Sequence, residues 1–519
     1  MLAFKSPLEQ FALTFSLGLK SIEKSLNYSQ AFVRQIQYGQ TYMSGIMNYF
    51  NDFMVPYWTA LDSFLFLEQE KLRTHCPGET SRDYLELLQF NLQIARKGLL
   101  SSISSIHDYY VREAVSMISE YIDSALNDGE NVKLSSERRA KLMKMLVFDY
   151  PQAIRKIGPE FGFHFDSGGY VKTDETDRFI LYQVLPTDRK VETRKDGKPI
   201  VILPPYVLGA SILAFLPNED KSYVHSFANQ GIPTYIRIIK DIGTTPAVQV
   251  MTGEDDALDV QRFCRKVKEA HGRKATLNGF CQGGFIALLD LLSGELDDSV
   301  DALITCVAPI DGTRSKSLIE YLQYIPERFR DLGYAIKTLP NGNRIVDGKV
   351  MSWVYKLKSM EREAPIFTFF RDLKMLDRTG TGFTITNTAA ALNYWLIYER
   401  YDLPIGITKL SFDSYTIPIA ADGTLPVTMF SRKLNMKRIA EKKIPWLICY
   451  AEDDDLVDKD AALAPLDFIK AEVTAFPKGH GSIATSWSLP TSECPLHEPF
   501  LDGRRGPVCY QLALEAELK

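Results

Sequence analysis

One cysteine in this 519-residue chain stands where a nucleophile belongs. The stretch Ala275-Thr276-Leu277-Asn278-Gly279-Phe280-Cys281-Gln282-Gly283-Gly284-Phe285 passes from a strand-like run into an apolar helix, with Cys281 at the junction. Glycines two before and two after the thiol let strand and helix pass closely at a sharp turn. A helix starting beneath Cys281 favours thiolate, and the backbone N–H of Gln282 faces any oxyanion that develops on an attacked carbonyl. A thiol nucleophile then needs an acid and a base later in the chain. Asp454 is the expected acid, because it follows the strand-like Trp446–Tyr450 and stands two residues before the aliphatic pair Leu456-Val457. Asp453, Asp455 and Asp458 are its rivals. Of seven histidines, only His480 follows a late strand, Val473–Phe476, in a glycine-flanked loop, and it is the expected base. The second oxyanion amide is expected in the loop Pro204-Pro205-Tyr206-Val207. Prolines have no N–H, which leaves Tyr206 or Val207.

G-x-C-x-G after a strand, followed by acid and base in that order, is the nucleophile elbow of an α/β-hydrolase with Cys in place of Ser. The elements that must position these residues follow from the texture of the chain. Beyond about residue 165, short β-branched runs alternate with amphipathic segments, which predicts a mostly parallel sheet with helical crossovers. Its strands are expected at 199–203, 233–239, 275–277, 302–307, 446–450 and 473–476. Residues 311–400, with Trp353 and Gly-rich turns, read as a cap inserted over the carboxyl edge of the sheet. The first 165 residues read as a helical region, carried by the stripe Tyr42, Ile46, Tyr49, Phe50, Phe53 and Tyr57. A break is expected at Cys76–Ser81, with the next helix beginning near Tyr84. The expected division is therefore 1–165 and 166–519: an α/β-hydrolase domain with a cap, preceded by a helical one.

Composition removes several alternatives. Lys and Arg number 60 against 65 Asp and Glu, a formal charge of −5, which argues against nucleic acid as a partner. No run of about 20 apolar residues predicts a membrane span. The opening Met1–Pro7 does not read as a secretory signal, and seven unspaced cysteines fit a reducing compartment. The expected location is the cytoplasm. No spacing of Cys and His predicts a metal site; Cys494 and His497 with Cys509 lack a fourth ligand.

Together these blocks resemble the poly(3-hydroxyalkanoate) synthase family, over about residues 145–490. The resemblance is carried by Pro204-Pro205, Gly279–Gly284, Asp347-Gly348 with Met351, Ile444-Pro445-Trp446, Asp454 and Gly479-His480. It implies (R)-3-hydroxyacyl-CoA substrates, polymerisation with CoA release, no cofactor, and PHA biosynthesis as the setting. Cys281 would carry the acyl chain, His480 would activate the thiol or incoming hydroxyl, and Asp454 would support His480. Granule association and a homodimer are further expectations. The chain departs from the family in carrying Tyr206-Val207-Leu208-Gly209 after Pro-Pro, Leu396 after Tyr394-Trp395, and Asp455 after the acid. Two other functions stay open: a thioesterase or intracellular polyester depolymerase with the same triad, and a non-catalytic granule protein.

Overall fold

The computed structural model describes residues 144–316, 335–351 and 385–517 without interruption, together with residues 76–86 and isolated positions elsewhere. The residues of the Tyr42–Tyr57 stripe, and Trp353 in the expected cap, lie outside the described residues. The chain falls into two compact units. One comprises Met1–Trp58, Leu87–Lys156 and Ser359–Ala390; the other comprises Thr59–Glu86, Ile157–Lys358 and Ala391–Lys519.

The second unit is built on an eight-stranded sheet. Its strands are β1 (Tyr170–Glu175), β2 (Phe179–Val184), β3 (Ile200–Leu203), β4 (Thr234–Ile239), β5 (Ala275–Phe280), β6 (Val300–Cys306), β12 (Trp446–Ala451) and β13 (Glu472–Phe476). Their spatial order is β1-β2-β4-β3-β5-β6-β12-β13. β2 runs antiparallel to β1 and β4, and every pair from β4 to β13 is parallel. Between β6 and β12 the chain adds a small sheet of β7 (Ile336–Thr338), β8 (Arg344–Val346) and β9 (Leu403–Pro404). A hairpin of β10 (Thr424–Met429) and β11 (Arg432–Asn435) follows. This strand order, with a sharp strand-to-helix turn after β5, is the α/β-hydrolase fold.

Local chemistry explains the central elements. Ile200-Val201-Ile202-Leu203 is buried at every residue, the continuous apolar run that suits a parallel strand covered on both faces. β5 is buried throughout as well, Thr276 and Asn278 included. Each fully buried aliphatic side chain there contributes about 1.5–3 kcal/mol. Helix α2 (Gly253–His271) starts in a reciprocal cap, with the Thr252 hydroxyl accepting from Asp255 N–H and the Asp255 carboxylate from Thr252 N–H. It stops at Gly272, whose φ of +67° a side chain would resist. Helix α1 (Tyr223–Ala228) lies earlier in the chain, and α3 (Gln282–Ser293) leaves the nucleophile turn, buried along its whole length.

Two expectations change. Residues 77–86 are helical, so the break at Cys76–Ser81 shrinks to Cys76 and Pro77 opens the helix. Proline suits that first position, since no carbonyl waits there for its missing N–H. The β1–β2 hairpin was not anticipated, because charged Lys172, Asp174 and Glu175 disguise an edge strand. Among the described residues, no helix is long and apolar enough to cross a membrane.

Candidate active site

Cys281 sits between β5 and α3 with φ +53° and ψ −126°, a conformation that non-glycine residues rarely adopt. The turn is held in place by Cys281 N–H donating to the Cys306 carbonyl at 2.8 Å, and by Gly284 N–H donating to the Cys281 carbonyl at 2.9 Å. The flanking glycines are steric requirements. A Cβ on Gly279 would meet Gly284 Cα at 2.3 Å, and one on Gly283 would meet the Leu203 carbonyl oxygen at 2.3 Å. The second contact matters most, because it brings the nucleophile turn against the end of β3. Gln282 N–H opens α3 and has no carbonyl in the preceding turn to meet.

Asp454 and His480 rise from the loops after β12 and β13. Paired β12 and β13 carry those loops side by side, with Asp453 N–H donating to the Lys478 carbonyl at 3.0 Å. Asp454 Oδ2 meets His480 Nδ1 at 2.7 Å, and Oδ1 accepts from Leu456 N–H at 2.9 Å and Val457 N–H at 3.0 Å. Of the four candidate aspartates, Asp454 is the one bonded to His480. The aliphatic pair used to choose it supplies the two amides that hold its carboxylate.

Nδ1 is committed to Asp454, whereas His480 Nε2 is buried with no hydrogen-bond partner. Burial is the largest influence on the ring and opposes its charge. Asp454 and then Cys281 more than offset it, so His480 titrates well above its usual 6.5. Cys281 is thus near enough to influence the ring, whose free nitrogen is Nε2. Phe280 stands edge-on to the imidazole, 6.5 Å between ring centres. The ring is held by Asp454 and buried.

The expected oxyanion loop follows β3. Val207 N–H donates to Gln282 Oε1 at 3.1 Å, and Gln282 Nε2 donates to Ser411 Oγ on helix α4 (Ile405–Thr416). Trp395 Nε1 donates to the Leu208 carbonyl at 3.0 Å. Tyr206 sends its phenol into the core, where it donates to Asp256 and accepts from Arg237 Nη2 at 3.1 Å. Arg237 is also bonded to Asp256, with Arg237 only 2% exposed and Asp256 fully buried. Near them Asp290 of α3 is buried with both carboxyl oxygens unpartnered. Burial first, and Asp256's charge second, push its carboxyl well above the usual carboxylate range. None of these supporting contacts was anticipated from the sequence, although Trp395 falls in a block already noted there.

Among the described residues, no group of three or more His, Cys, Asp and Glu is placed to hold a metal ion. No protein-family model matches this chain, and no curated protein matches its sequence. Solved structures do. A carboxylesterase of Nitrososphaera gargenis is 12% identical, covering 61% of this chain and 92% of its own, with a TM-score of 0.35. A monoacylglycerol lipase of Paleococcus ferrophilus is 11% identical, covering 63% and 96%, with a TM-score of 0.33. A meta-cleavage product hydrolase of Pseudomonas fluorescens is 15% identical, covering 59% and 88%, with a TM-score of 0.30.

Proposed function

We propose that this chain is an acyltransferase that polymerises (R)-3-hydroxyacyl-CoA thioesters through an acyl chain carried on Cys281, releasing CoA. The observation that carries the reading is the Asp454–His480 pair, with Nε2 unpartnered, beside a cysteine on a nucleophile turn. In the first step the Cys281 sulfur attacks the thioester carbonyl while His480 holds the thiol's proton. Gln282 N–H and one amide of the Tyr206–Val207 loop receive the oxyanion. The tetrahedral adduct collapses, CoA leaves as the thiolate, and the His480 proton passes to it. In the second step neutral His480 takes the proton of the 3-hydroxyl of an incoming acyl-CoA, and that oxygen attacks the Cys281 thioester. Cys281 leaves as the thiolate beside protonated His480, and the lengthened acyl-CoA then re-acylates it with release of CoA.

The choice of sulfur has a thermodynamic reason. Acyl transfer from CoA to Cys281 exchanges one thioester for another and keeps the acyl group activated. Transfer to a hydroxyl is then downhill, which a serine ester would not provide. Granule contact and a homodimer belong to this same proposal, as do a cytoplasmic location, argued from the unspaced cysteines, and a separate helical region over residues 1–165, argued from its apolar stripe.

The test is incubation with 3-hydroxybutyryl-CoA while following both CoA and the fate of the acyl group. The proposal expects CoA release matched by ester-linked polymer. Release matched by free 3-hydroxybutyrate would assign a thioesterase, and no release would leave a non-catalytic role.

A further inference from the structure

We propose that the second oxyanion amide is the backbone N–H of Tyr206, and that Gln282 and Ser411 are positioning residues for it. The inference rests on acyl transfer at Cys281 and extends it to groups whose side chains touch no substrate.

Four consecutive residues after Pro204-Pro205 are tied down from four directions. The Tyr206 side chain is anchored by Asp256 and Arg237, and the guanidinium lies 4.3 Å from the Phe179 ring centre. Val207 N–H is taken by Gln282 Oε1 and the Leu208 carbonyl by Trp395. Gly209, at φ +69°, lies so close to Tyr401 that a Cβ would come within 2.2 Å of the ring. Among the described residues, no acceptor meets the Tyr206 N–H. A preorganised hole keeps its donors unspent until charge develops, whereas a donor already paired must break a bond first. Val207 fails that condition and Tyr206 meets it.

Gln282 can do this work in only one orientation. Val207 N–H only donates, so the Gln282 oxygen must face it and the NH2 must find an acceptor elsewhere. Ser411 Oγ is that acceptor, 129 residues away in sequence. The residue after the nucleophile therefore has two tasks. Its backbone opens α3 at the oxyanion, and its side chain fixes the loop that carries the partner amide. Gly283, packed on the Leu203 and Pro204 carbonyls, keeps the two turns in contact.

The experiment measures the rate of Cys281 acylation by 3-hydroxybutyryl-CoA, KM and Tm in Ser411→Ala, Ser411→Thr and Gln282→Met. Ser411→Ala should slow acylation about 3- to 10-fold, the worth of one hydrogen bond, with KM and Tm unchanged. Ser411→Thr, which keeps the hydroxyl, should restore the rate, and Gln282→Met should be slower than Ser411→Ala. Faster acylation in Gln282→Met would mean that the side chain blocks the Val207 amide, and would overturn the assignment. So would an unchanged rate in Ser411→Ala, or a rate loss matched by a fall in Tm. Those results leave the nucleophile standing if wild-type Cys281 still acylates. No wild-type acylation would end both readings.

Discussion

Asp454 and Asp256 are both buried carboxylates paired with a basic side chain, yet they do opposite things. Asp454 faces an imidazole that can give up its proton, and holds that proton on His480 well above the ring's usual pH range. Asp256 faces Arg237, whose guanidinium stays charged at any working pH. One pair joins the loops after β12 and β13 and can exchange a proton; the other is a fixed brace beneath the loop after β3. The difference teaches that burial of a charge pair says little about its role until the partner's chemistry is known.

The comparison breaks most visibly at Asp454. Asp454→Asn should cut kcat/KM by about two to four orders of magnitude, since an amide neither stabilises the imidazolium nor enforces the tautomer. It should also move the acid limb of the pH–rate profile. Asp454 is the largest influence that raises the His480 pKa, so removing the carboxylate lets burial weigh more and shifts the limb to lower pH. A pH–rate profile whose acid limb stays put would sever the coupling. Stability follows the same sign. With the folded pKa raised, the pair's contribution is complete below the unfolded imidazole's 6.5 and fades as pH climbs through the folded value.

At the brace, Asp256→Ala should cost about 3–5 kcal/mol, because it strands the buried Arg237 charge. The double variant Arg237→Met with Asp256→Leu should recover most of that loss, as urea unfolding can measure. A fixed brace predicts that recovery, whereas a pair with its own proton chemistry would not be replaceable by apolar side chains.

The smallest effect belongs to Asp290, the buried acid beside the brace whose pKa burial raises. Its raised folded pKa means the native state keeps a proton that the unfolded chain loses above pH 3.8, so stability falls as pH rises past that point. Asp290→Asn removes this penalty. It should stabilise the protein at neutral pH in urea unfolding, and the gain should vanish below about pH 4. A destabilised Asp290→Asn at neutral pH would mean that the ionised form is the native one.

The two regions also differed in how far the sequence revealed them. The region around Cys281, Asp454 and His480 was legible because its constraints are local. Gly279 and Gly283 bracket Cys281, Leu456-Val457 mark Asp454, and glycines flank His480. The strands around them were legible too, since runs such as Ile200–Leu203 and Trp446–Ala451 are rich in apolar residues and flanked by turn residues. The brace was not, because residues 237, 256 and 290 are far apart and each lies in an element whose pattern gives no sign of a shared core site. Likewise nothing near Gln282 announces Ser411, and neither Tyr206 nor Val207 declares which amide is already spent. Register and packing decide those matters, and neither is written locally.

Acylation of Cys281 during turnover is read by intact-protein mass spectrometry after incubation with 3-hydroxybutyryl-CoA and an acid quench. The account predicts a mass increase of one 3-hydroxybutyryl group, mapped to Cys281, absent in Cys281→Ala, and growing by whole monomer units as the reaction proceeds. Full turnover of the thioester by Cys281→Ala, with no adduct on the wild type, would contradict it.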